Sequence, residues 1–482
     1  MSLSSALSIA QSALLNNSRQ TSVISTNVAN QGNADYARRS GVLVSQGTGG
    51  ARLIQIQRAA NEQLMRQNLT AQSSYEGQKA LMTGLDKLMS GVNGIDNASS
   101  ASALIGKLRE ALDLYGATPS NKTLGDTVVE TASQLAQSLN NANTSVQATR
   151  TQADADIANQ VDTLNELLTQ FKDANTAVVN GTRAGRDVSD SLDQRDGLLK
   201  QIANIVPVST ITRGDNDLVV MTSGGAMLFE TNPRSVTFER SETLAAGVDG
   251  NAVYIDGVAL DAGTGANTTA QGSIAGLLQL RDTVAPTLQN QLDEITRGLI
   301  TAFAETSNSG NPALTGLFTW DGAPELPADG TLIAGLSRQI KVNDAYKANS
   351  ELLRDGGANG ADHTQNDTGA ASFSDRLIAL SDALDEPRAF SSDAGLESST
   401  RLEDFASSSV GWLESARKSA NSAAETKAAY LNYASSALSS ATGVNIDQEM
   451  STLLDLEHSY SATARIISTV DAMLAELLAA VR

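Results

Sequence analysis

The apolar residues of the first 30 positions recur at steps of three and four, the spacing that places them on one face of an α-helix. Leu3, Leu7, Ala10 and Leu14 begin this series, and Asn17, Thr21, Ile24 and Val28 continue it; its large apolar members are Leu3, Leu7, Leu14, Ile24 and Val28. The opposite face carries Ser, Gln, Asn and Thr, and Arg19 is the single charged side chain of the first 34 residues. Surface helices normally carry more charge. We therefore predict that this helix packs among identical copies, where like charges would repel and their desolvation would be costly.

The last part of the chain, residues 445–482, carries a stronger pattern of the same kind. Its apolar stripe consists of Leu453, Leu456, Tyr460, Ile467, Val470, Leu474 and Leu477. A second apolar row beside it consists of Met450, Ile466, Met473 and Leu478. The combined face is wider than one partner helix can bury. We predict that residues 1–30 and 445–482 pair as a coiled-coil domain, and that the two stripes form an interface at which several chains assemble.

The residues between these ends predict two further domains. Helical periodicity dominates residues 31–205 and 273–444, and the longest uninterrupted pattern covers about 123–179. Residues 206–272 instead contain short strand patterns separated by turn signals, such as the one at 214–217. The predicted fold class is mainly α with an inserted β domain, in an elongated multi-domain chain. We expect the β-rich domain to be small, peripheral and locally folded.

Composition narrows the possible chemistry. A net charge of −20 argues against a broad basic face for nucleic acid. The absence of cysteine excludes disulfides, thiolate metal sites and thiol nucleophiles. The two histidines, His363 and His458, are expected to be solvated or at an interface. We predict no catalytic residue, no cofactor and no metal site.

Charge and hydropathy along the chain give two further expectations. The acidic pairs Asp154/Asp156 and Asp193/Asp196 fall on helical patterns, where the simplest interpretation is a solvated helix face. No stretch approaches the roughly 20 apolar residues that span a bilayer, and the N-terminus lacks the basic and apolar regions of a cleaved signal peptide. A cytosolic protein and a protein exported without signal cleavage both fit this pattern.

Two strings near the ends and one in the middle resemble a known family. Residues 27–39 resemble the N-terminal signature of bacterial flagellar axial proteins, which comprise rod, hook and hook-associated proteins, and residues 443–450 resemble the start of their C-terminal helix. The string Leu192-Asp193-Gln194-Arg195-Asp196 resembles the hook-associated members. Asn33 and Asp35 depart from the Thr and Gly of the N-terminal signature. The residues that match it are Asn27, Ala29, Asn30, Tyr36 and Arg38.

The resemblance implies a structural role in the flagellum and no enzymatic activity. A hook-associated protein of this kind forms the junction between hook and filament, is exported by the flagellar type III apparatus without a cleaved signal peptide, and ends up outside the cell. The implied partners are further copies in a ring-like homo-oligomer, hook protein, hook-associated protein 3 and a flagellar export chaperone that binds the C-terminal helix. Neither nucleic-acid binding nor membrane insertion is expected.

Two alternatives remain open. A hook or distal rod protein of the same family shares both terminal patterns, although such proteins usually have β-rich middles, whereas this chain has long helices over about 120–205. An unrelated acidic secreted adhesin or enzyme with helical termini is the other alternative. Shear-resistant oligomers would favour the axial protein, and a stable monomer with turnover on a substrate would favour the latter.

Overall fold

The computed structural model describes residues 2–45, 50–260 and 270–480. Residues 261–269, at the end of the predicted β domain, and the final two residues of the predicted C-terminal domain lie outside this description. The described chain is mainly helical, which confirms the predicted fold class. Its α-helices are α1 Leu3–Ala29, α2 Glu62–Asn93, α3 Ala101–Ala117, α4 Lys122–Arg183, α5 Ser189–Ile205, α6 Ser273–Gln279, α7 Ala285–Ala302, α8 Leu336–Gln339, α9 Asp344–Ala348, α10 Leu352–Asp355, α11 Asp375–Asp385, α12 Leu402–Thr442 and α13 Ile446–Ala480.

The strands form small antiparallel sheets. In chain order they are β1 Arg39–Ser45, β2 Ala51–Arg58, β3 Val208–Thr212, β4 Leu218–Thr222, β5 Met227–Phe229, β6 Val236–Thr237, β7 Tyr254–Ile255, β8 Val258–Ala259, β9 Phe318–Thr319, β10 Lys341–Val342, β11 Pro387–Ala389 and β12 Ser399–Arg401. The β1–β2 hairpin was not predicted, because its strands are mostly exposed and their apolar residues do not alternate strictly. Its register shifts between Val42 and Leu43.

The long helices α2, α3, α4 and α12 pack around one hydrophobic core. Helix α4 spans 62 residues, which corresponds to about 90 Å at 1.5 Å per residue. The Asn121 side chain caps its start by accepting a hydrogen bond from the Thr123 backbone N–H at 3.1 Å. No proline interrupts the chain between Pro119 and Pro207. The prediction of a long helix in this region is therefore confirmed.

The strands after α5 share this core with α4. Their inward residues Val220, Phe229 and Ile255 are fully buried within it, and the ring of Phe229 packs edge-to-face on Phe171 of α4, with 5.0 Å between ring centroids. Such aromatic packing adds stability beyond the area that it buries. The division of the chain into domains remains a prediction, but these contacts favour a segment that depends on α4 over one that folds locally.

Two buried arginines hold the loop between β6 and β7 on the helices. Arg150 of α4 donates hydrogen bonds to the carbonyl oxygens of Ala245 and Val248, at 3.0 and 2.6 Å. Arg281 lies in a short π-helical segment, Leu280–Val284, and donates to Asp154 Oδ1 at 2.6 Å. The expectation that Asp154 is solvated is wrong, since only 1 % of the residue is exposed. The loop covers α4 at this point and encloses the ion pair.

His363 also differs from its expected solvated or interfacial position. It ends a short 3₁₀ turn, Ala361–His363, and only 6 % of it is exposed. The loop at Asn308 covers this turn, because the Asn308 backbone N–H donates to Asp362 O at 2.8 Å and its side chain donates to Thr364 O at 2.6 Å. His458, in contrast, is exposed on α13.

Candidate functional site: the terminal arm and its polar junction

Helices α1 and α13 pair antiparallel, and we call α1, the β1–β2 hairpin and α13 together the terminal arm. Asn17 donates to Ser459 Oγ at 3.0 Å, and Asn27, ten residues later, donates to Glu449 Oε2 at 2.9 Å, ten residues earlier. The buried residues of α13 recur every seven positions, as in a coiled-coil seam. They are Glu449, Leu456, Thr463 and Val470.

The predicted interface residues occupy different parts of this helix pair. Ile24, Leu456 and Val470 are buried within the single chain. Tyr460 and Leu477 are 54 % and 53 % exposed. The half-buried residues are Leu3, Leu7, Leu14, Val28, Leu453, Ile467 and Leu474. Their role in assembly remains a proposal.

The second apolar row of α13 faces solvent. Between 45 % and 71 % of each side chain in this row is exposed. The exposed residues of the row are Met450, Ile466, Met473 and Leu478, and Leu454 is exposed beside them. Helix α1 therefore covers one side of α13 and leaves an adjacent apolar surface open.

Asn27 organises the turn that follows α1. Its Oδ1 accepts hydrogen bonds from the Tyr36 hydroxyl at 2.7 Å and from the Arg39 backbone N–H at 3.0 Å. Its Nδ2 donates to the Arg39 carbonyl oxygen and to Glu449, both at 2.9 Å. The residue is fully buried, so both ends of its amide need these partners. Asn27 thus joins α1, β1 and α13 at one point.

Two further signature residues reinforce this junction. Arg38 donates through Nε to Glu449 Oε1 at 2.6 Å, and its backbone N–H donates to Thr442 O at the end of α12, at 2.7 Å. Tyr36 is buried, and burial raises the pKa of its hydroxyl although the nearby Arg39 guanidinium acts in the opposite direction. The other two are peripheral: Ala29 is exposed, and Asn30 donates to Thr26 O within α1 at 2.9 Å.

The two residues that depart from the family signature still form a turn. Asn33 Oδ1 accepts the Asp35 backbone N–H at 3.1 Å, a local Asx turn. Asp35 also forms an ion pair with Lys200 of α5 at 2.8 Å. The left-handed backbone of this turn falls on Gly32, with φ of 86°, where glycine carries no steric penalty.

Aspartate side chains of α5 form ion pairs with both strands of the β1–β2 hairpin. Arg39 of β1 donates to Asp190 at 2.6 Å and to Asp193 at 2.9 Å. Arg58 of β2 donates to Asp193 at 2.6 Å and to Asp196 at 2.7 Å. The expectation that Asp193 and Asp196 form a solvated face is wrong, because the hairpin covers that face of α5.

The ion pairs with these aspartates also shift the pKa values of Arg39 and Arg58. Burial disfavours the charged form of Arg39 and Arg58, but the aspartates outweigh this effect and raise the pKa of both guanidinium groups. Sequence reasoning missed Arg39, Arg58, Asp190 and Glu449 as functional candidates. Arg39 and Glu449 lie within the two terminal strings that resemble the family. Arg58 and Asp190 lie outside all three strings, and no local pattern pairs these charges because they lie far apart along the chain.

Across residues 2–45, 50–260 and 270–480, no group of three or more His, Asp or Glu side chains could hold a metal ion. Within the same residues, no helix is both long enough and apolar enough to cross a bilayer. The arrangement at the junction instead holds backbone elements together through fixed hydrogen bonds and ion pairs.

Comparisons with known proteins agree with this structural arrangement. The family model described as the flagellar hook-associated protein FlgK helical domain matches residues 82–316, and that of the flagellar basal body rod FlgEFG protein C-terminal matches residues 435–480. The flagellar hook-associated protein 1 of Bacillus subtilis (strain 168) is 23 % identical over 379 residues, which cover 73 % of this chain and 69 % of that protein.

A solved structure with similarity is the flagellar hook junction protein FlgK from Burkholderia pseudomallei, with a TM-score of 0.42 and 18 % identity. The match covers 53 % of this chain and less than half, 46 %, of that chain. The two family models and the Bacillus relative confirm the resemblance on which the sequence analysis relied. Residues 82–316 are therefore similar to the helical domain of the FlgK-type flagellar hook-associated proteins, and the chain resembles that group of structural proteins of the flagellum.

Proposed function

We propose that this chain is a structural subunit of the bacterial flagellum that forms the junction between hook and filament and assembles through its terminal arm. The observation that carries the proposal is the open apolar row of α13, next to the seam that α1 covers. A row of apolar side chains that a single chain leaves half exposed marks an interaction surface. Neighbouring copies that pack on this row would bury it and form a ring-like homo-oligomer.

The low charge of α1 supports the same role. Its exposed positions include Ser4, Ser8, Gln11 and Ser22, and Arg19 is its one charged side chain. Neutral side chains can be packed between copies without the cost of burying unpaired charges. Helix α1 therefore presents a neutral polar surface near the apolar row of α13, and both surfaces are suited to close packing.

Residues 62–442, from α2 to α12, form the part of the chain that we call the body, and this part favours the hook-associated role over the alternatives. The match to the FlgK helical domain covers α3, α4 and α5 and the C-terminal part of α2, from residue 82 onward; hook and rod proteins usually lack such long helices. The C-terminal match is to rod proteins, so a hook or distal rod protein remains the alternative. A secreted adhesin or enzyme is less well supported, since the exposed row requires partners.

The family resemblance supplies the finer proposals. We infer that hook protein and hook-associated protein 3 are the neighbours along the flagellum, and that an export chaperone covers the α13 row before assembly. Export without a cleaved signal peptide would then deliver the chain to the cell exterior.

The test is complementation of a strain that lacks the gene. The deletion strain is expected to form hooks without filaments and to lose filament protein to the medium, and the parent gene is expected to restore filaments. Ile466→Asp, which places a charge in the exposed row, should be secreted but should not restore filament growth, because burying an unpaired carboxylate at every subunit contact is costly. Ser468→Asp, at an exposed position beside it, is the matched control.

Two outcomes would contradict the proposal. Normal filaments with Ile466→Asp would show that the exposed row is not an assembly surface. A deletion strain that lacks hooks as well would favour the hook or rod alternative.

A further inference from the structure

The C-terminal end of α12 carries no charged side chain. Residues 428–442 of this helix, about four turns at 3.6 residues per turn, are Ala, Tyr, Leu, Asn, Ser and Thr, and the charged residues of α12 all precede them, from Glu403 to Lys427. We call the exposed side of residues 428–442 the neutral face. A solvated helix face normally carries charge, and the chain as a whole has a net charge of −20. The neutral face therefore differs from the rest of the surface.

Two tyrosines project from the neutral face. Tyr430 and Tyr433 lie one helical turn apart and are 42 % and 66 % exposed. The Gln67 side chain of α2 donates a hydrogen bond from Nε2 to the Tyr430 hydroxyl at 3.0 Å, which holds that side chain in place. The exposed neighbours Ala429 and Ser436 are small, so the two rings rise above their surroundings. Tyrosine is enriched at protein interfaces because it offers a large apolar area and a hydroxyl group on a side chain with few rotatable bonds.

The packing of α12 on α2 gives these tyrosines a firm base. Ala424 and Ala434 are buried where the two helices meet, and small side chains allow helices to approach closely. Asn68 of α2 is buried and donates from Nδ2 to Ser435 Oγ at 2.8 Å. Helix α2 is itself uncharged beside this contact, over residues 67–75. The helix pair belongs to the body, so the neutral face is already formed in the single chain.

The neutral face ends close to the apolar row of α13. Helix α12 ends at Thr442 and α13 begins at Ile446, with only residues 443–445 between them. The exposed row starts at Met450, in the second turn of α13. A neighbouring copy that packs on this row is therefore within reach of the end of α12.

We propose that the neutral face of α12, centred on Tyr430 and Tyr433, is a second assembly surface that packs against a neighbouring copy of this chain. Charge selects a second copy as the partner. Chains that each carry a net charge of −20 repel one another, and a contact through an uncharged face avoids burying like charges. The inference rests on the proposed function, because it adds a contact between bodies to the contact made by the terminal arms.

Photo-cross-linking in assembled flagella identifies the partner directly. The amino acid p-benzoylphenylalanine in place of Tyr433 keeps an aromatic ring at this position, and on irradiation it bonds to groups that touch it. Flagella from deletion cells that express the variant are isolated and irradiated, and the joined peptides are identified by mass spectrometry. We expect a cross-linked dimer in which both peptides come from this sequence. The same replacement at Tyr254, which is 44 % exposed on β7, is the matched control and should give no dimer.

Tyr433→Ala tests whether the contact strengthens the assembly. The position is largely exposed in the single chain, so the melting temperature of the body should not change, but each contact between copies would lose one ring. The fraction of cells that keep their filaments after a fixed shear should fall severalfold. Tyr433→Phe keeps the ring and should behave like the parent, and Tyr254→Ala should do the same.

Three results would overturn the inference. They are a cross-link from Tyr433 to a different flagellar protein, the absence of any cross-link from Tyr433 in flagella that contain the variant, and equal dimer formation from Tyr433 and Tyr254. Normal shear resistance of Tyr433→Ala, together with lost filaments in Ile466→Asp, would also remove the second surface and would leave the proposed function standing. Absence of the chain from isolated flagella would instead contradict the proposed function itself.

Discussion

Asn27 and Glu449 lie 422 positions apart in the sequence and share a hydrogen bond of 2.9 Å between Nδ2 and Oε2. Neither residue is exposed by more than 1 %. The bond joins the end of α1 to the start of α13, and it fixes where along its length each helix meets the other. A buried polar pair within a helix seam sets register in this way, because any slip would leave both groups unpaired.

Asn27→Ala should loosen the terminal arm and leave the body intact. The change removes the acceptor of Tyr36 and one donor to Glu449, and each buried polar group left without a partner costs about 1–3 kcal/mol. Limited proteolysis should cut within residues 2–45 and 444–480 faster than in the parent. Asn30→Ala, which removes only a bond within α1, is the control. Equal cleavage rates in Asn27→Ala and the parent would contradict this role.

Val470→Asp should separate α13 from α1 in the isolated chain. Val470 is 6 % exposed at the seam, and an unpaired carboxylate at such a position costs several kcal/mol or forces the helices apart. Hydrogen exchange of the α13 amides should accelerate, while α2 and α4 keep their protection. Ala472→Asp adds the same charge at an exposed position and should change little. Protected α13 amides in Val470→Asp would mean that the seam is assigned to the wrong face.

Phe229→Ala should lower the free energy of unfolding of the body by about 3–5 kcal/mol, the usual cost of removing a buried ring. The ring of Phe229 fills the space against Phe171, so the cavity would open within the shared core. Urea unfolding measures the change. Ile211→Ala, at a position that is 52 % exposed on β3, should be much milder.

Replacing residues 208–271 with a short Gly/Ser linker tests the same dependence on a larger scale. The deletion would expose Phe171 and would remove the loop carbonyls that Arg150 and Arg281 bind. We expect a lower melting temperature and less cooperative unfolding. A deletion variant that melts like the parent would restore the expectation of a peripheral, locally folded β domain.

Tyr36 should make the arm sensitive to alkaline pH. Its pKa is raised above 10.0 in the folded chain, mainly by burial. The neutral hydroxyl is the form that donates to Asn27. Its contribution to stability is therefore complete below pH 10.0 and is lost as the pH rises through the folded pKa. Proteolysis of the arm should accelerate with pH in this range.

Tyr36→Phe separates this effect from the ionisation of the other tyrosines. The variant loses the hydrogen bond to Asn27 and should start from a less stable arm, but its arm stability should then change less between neutral and alkaline pH. The same pH dependence in both proteins would assign the effect to another group.

The periodic patterns determined the helices of this protein without tertiary information. The steps of three and four along residues 3–28 and 446–477 predict helices because 3.6 residues form a turn, and the structure has α1 and α13 there. The end signals were also local: Asn445 Oδ1 accepts the Gln448 backbone N–H at 3.1 Å and caps α13. The mainly helical fold and the resemblance to the flagellar proteins followed from such short-range features.

The tertiary structure alone decided which charges are buried and which elements meet. Asp193 was predicted to lie on a solvated helix face because the helical pattern of α5 gives no information about the hairpin that covers it. Arg39 and Arg58 reach Asp193 from positions more than 130 residues away, and the β1–β2 hairpin that carries them has only weak alternation of its own. A periodic pattern of apolar residues predicts the secondary structure of its own segment and the face that it buries. The residue that pairs with a given charged side chain depends instead on how distant segments of the chain are brought together in the fold.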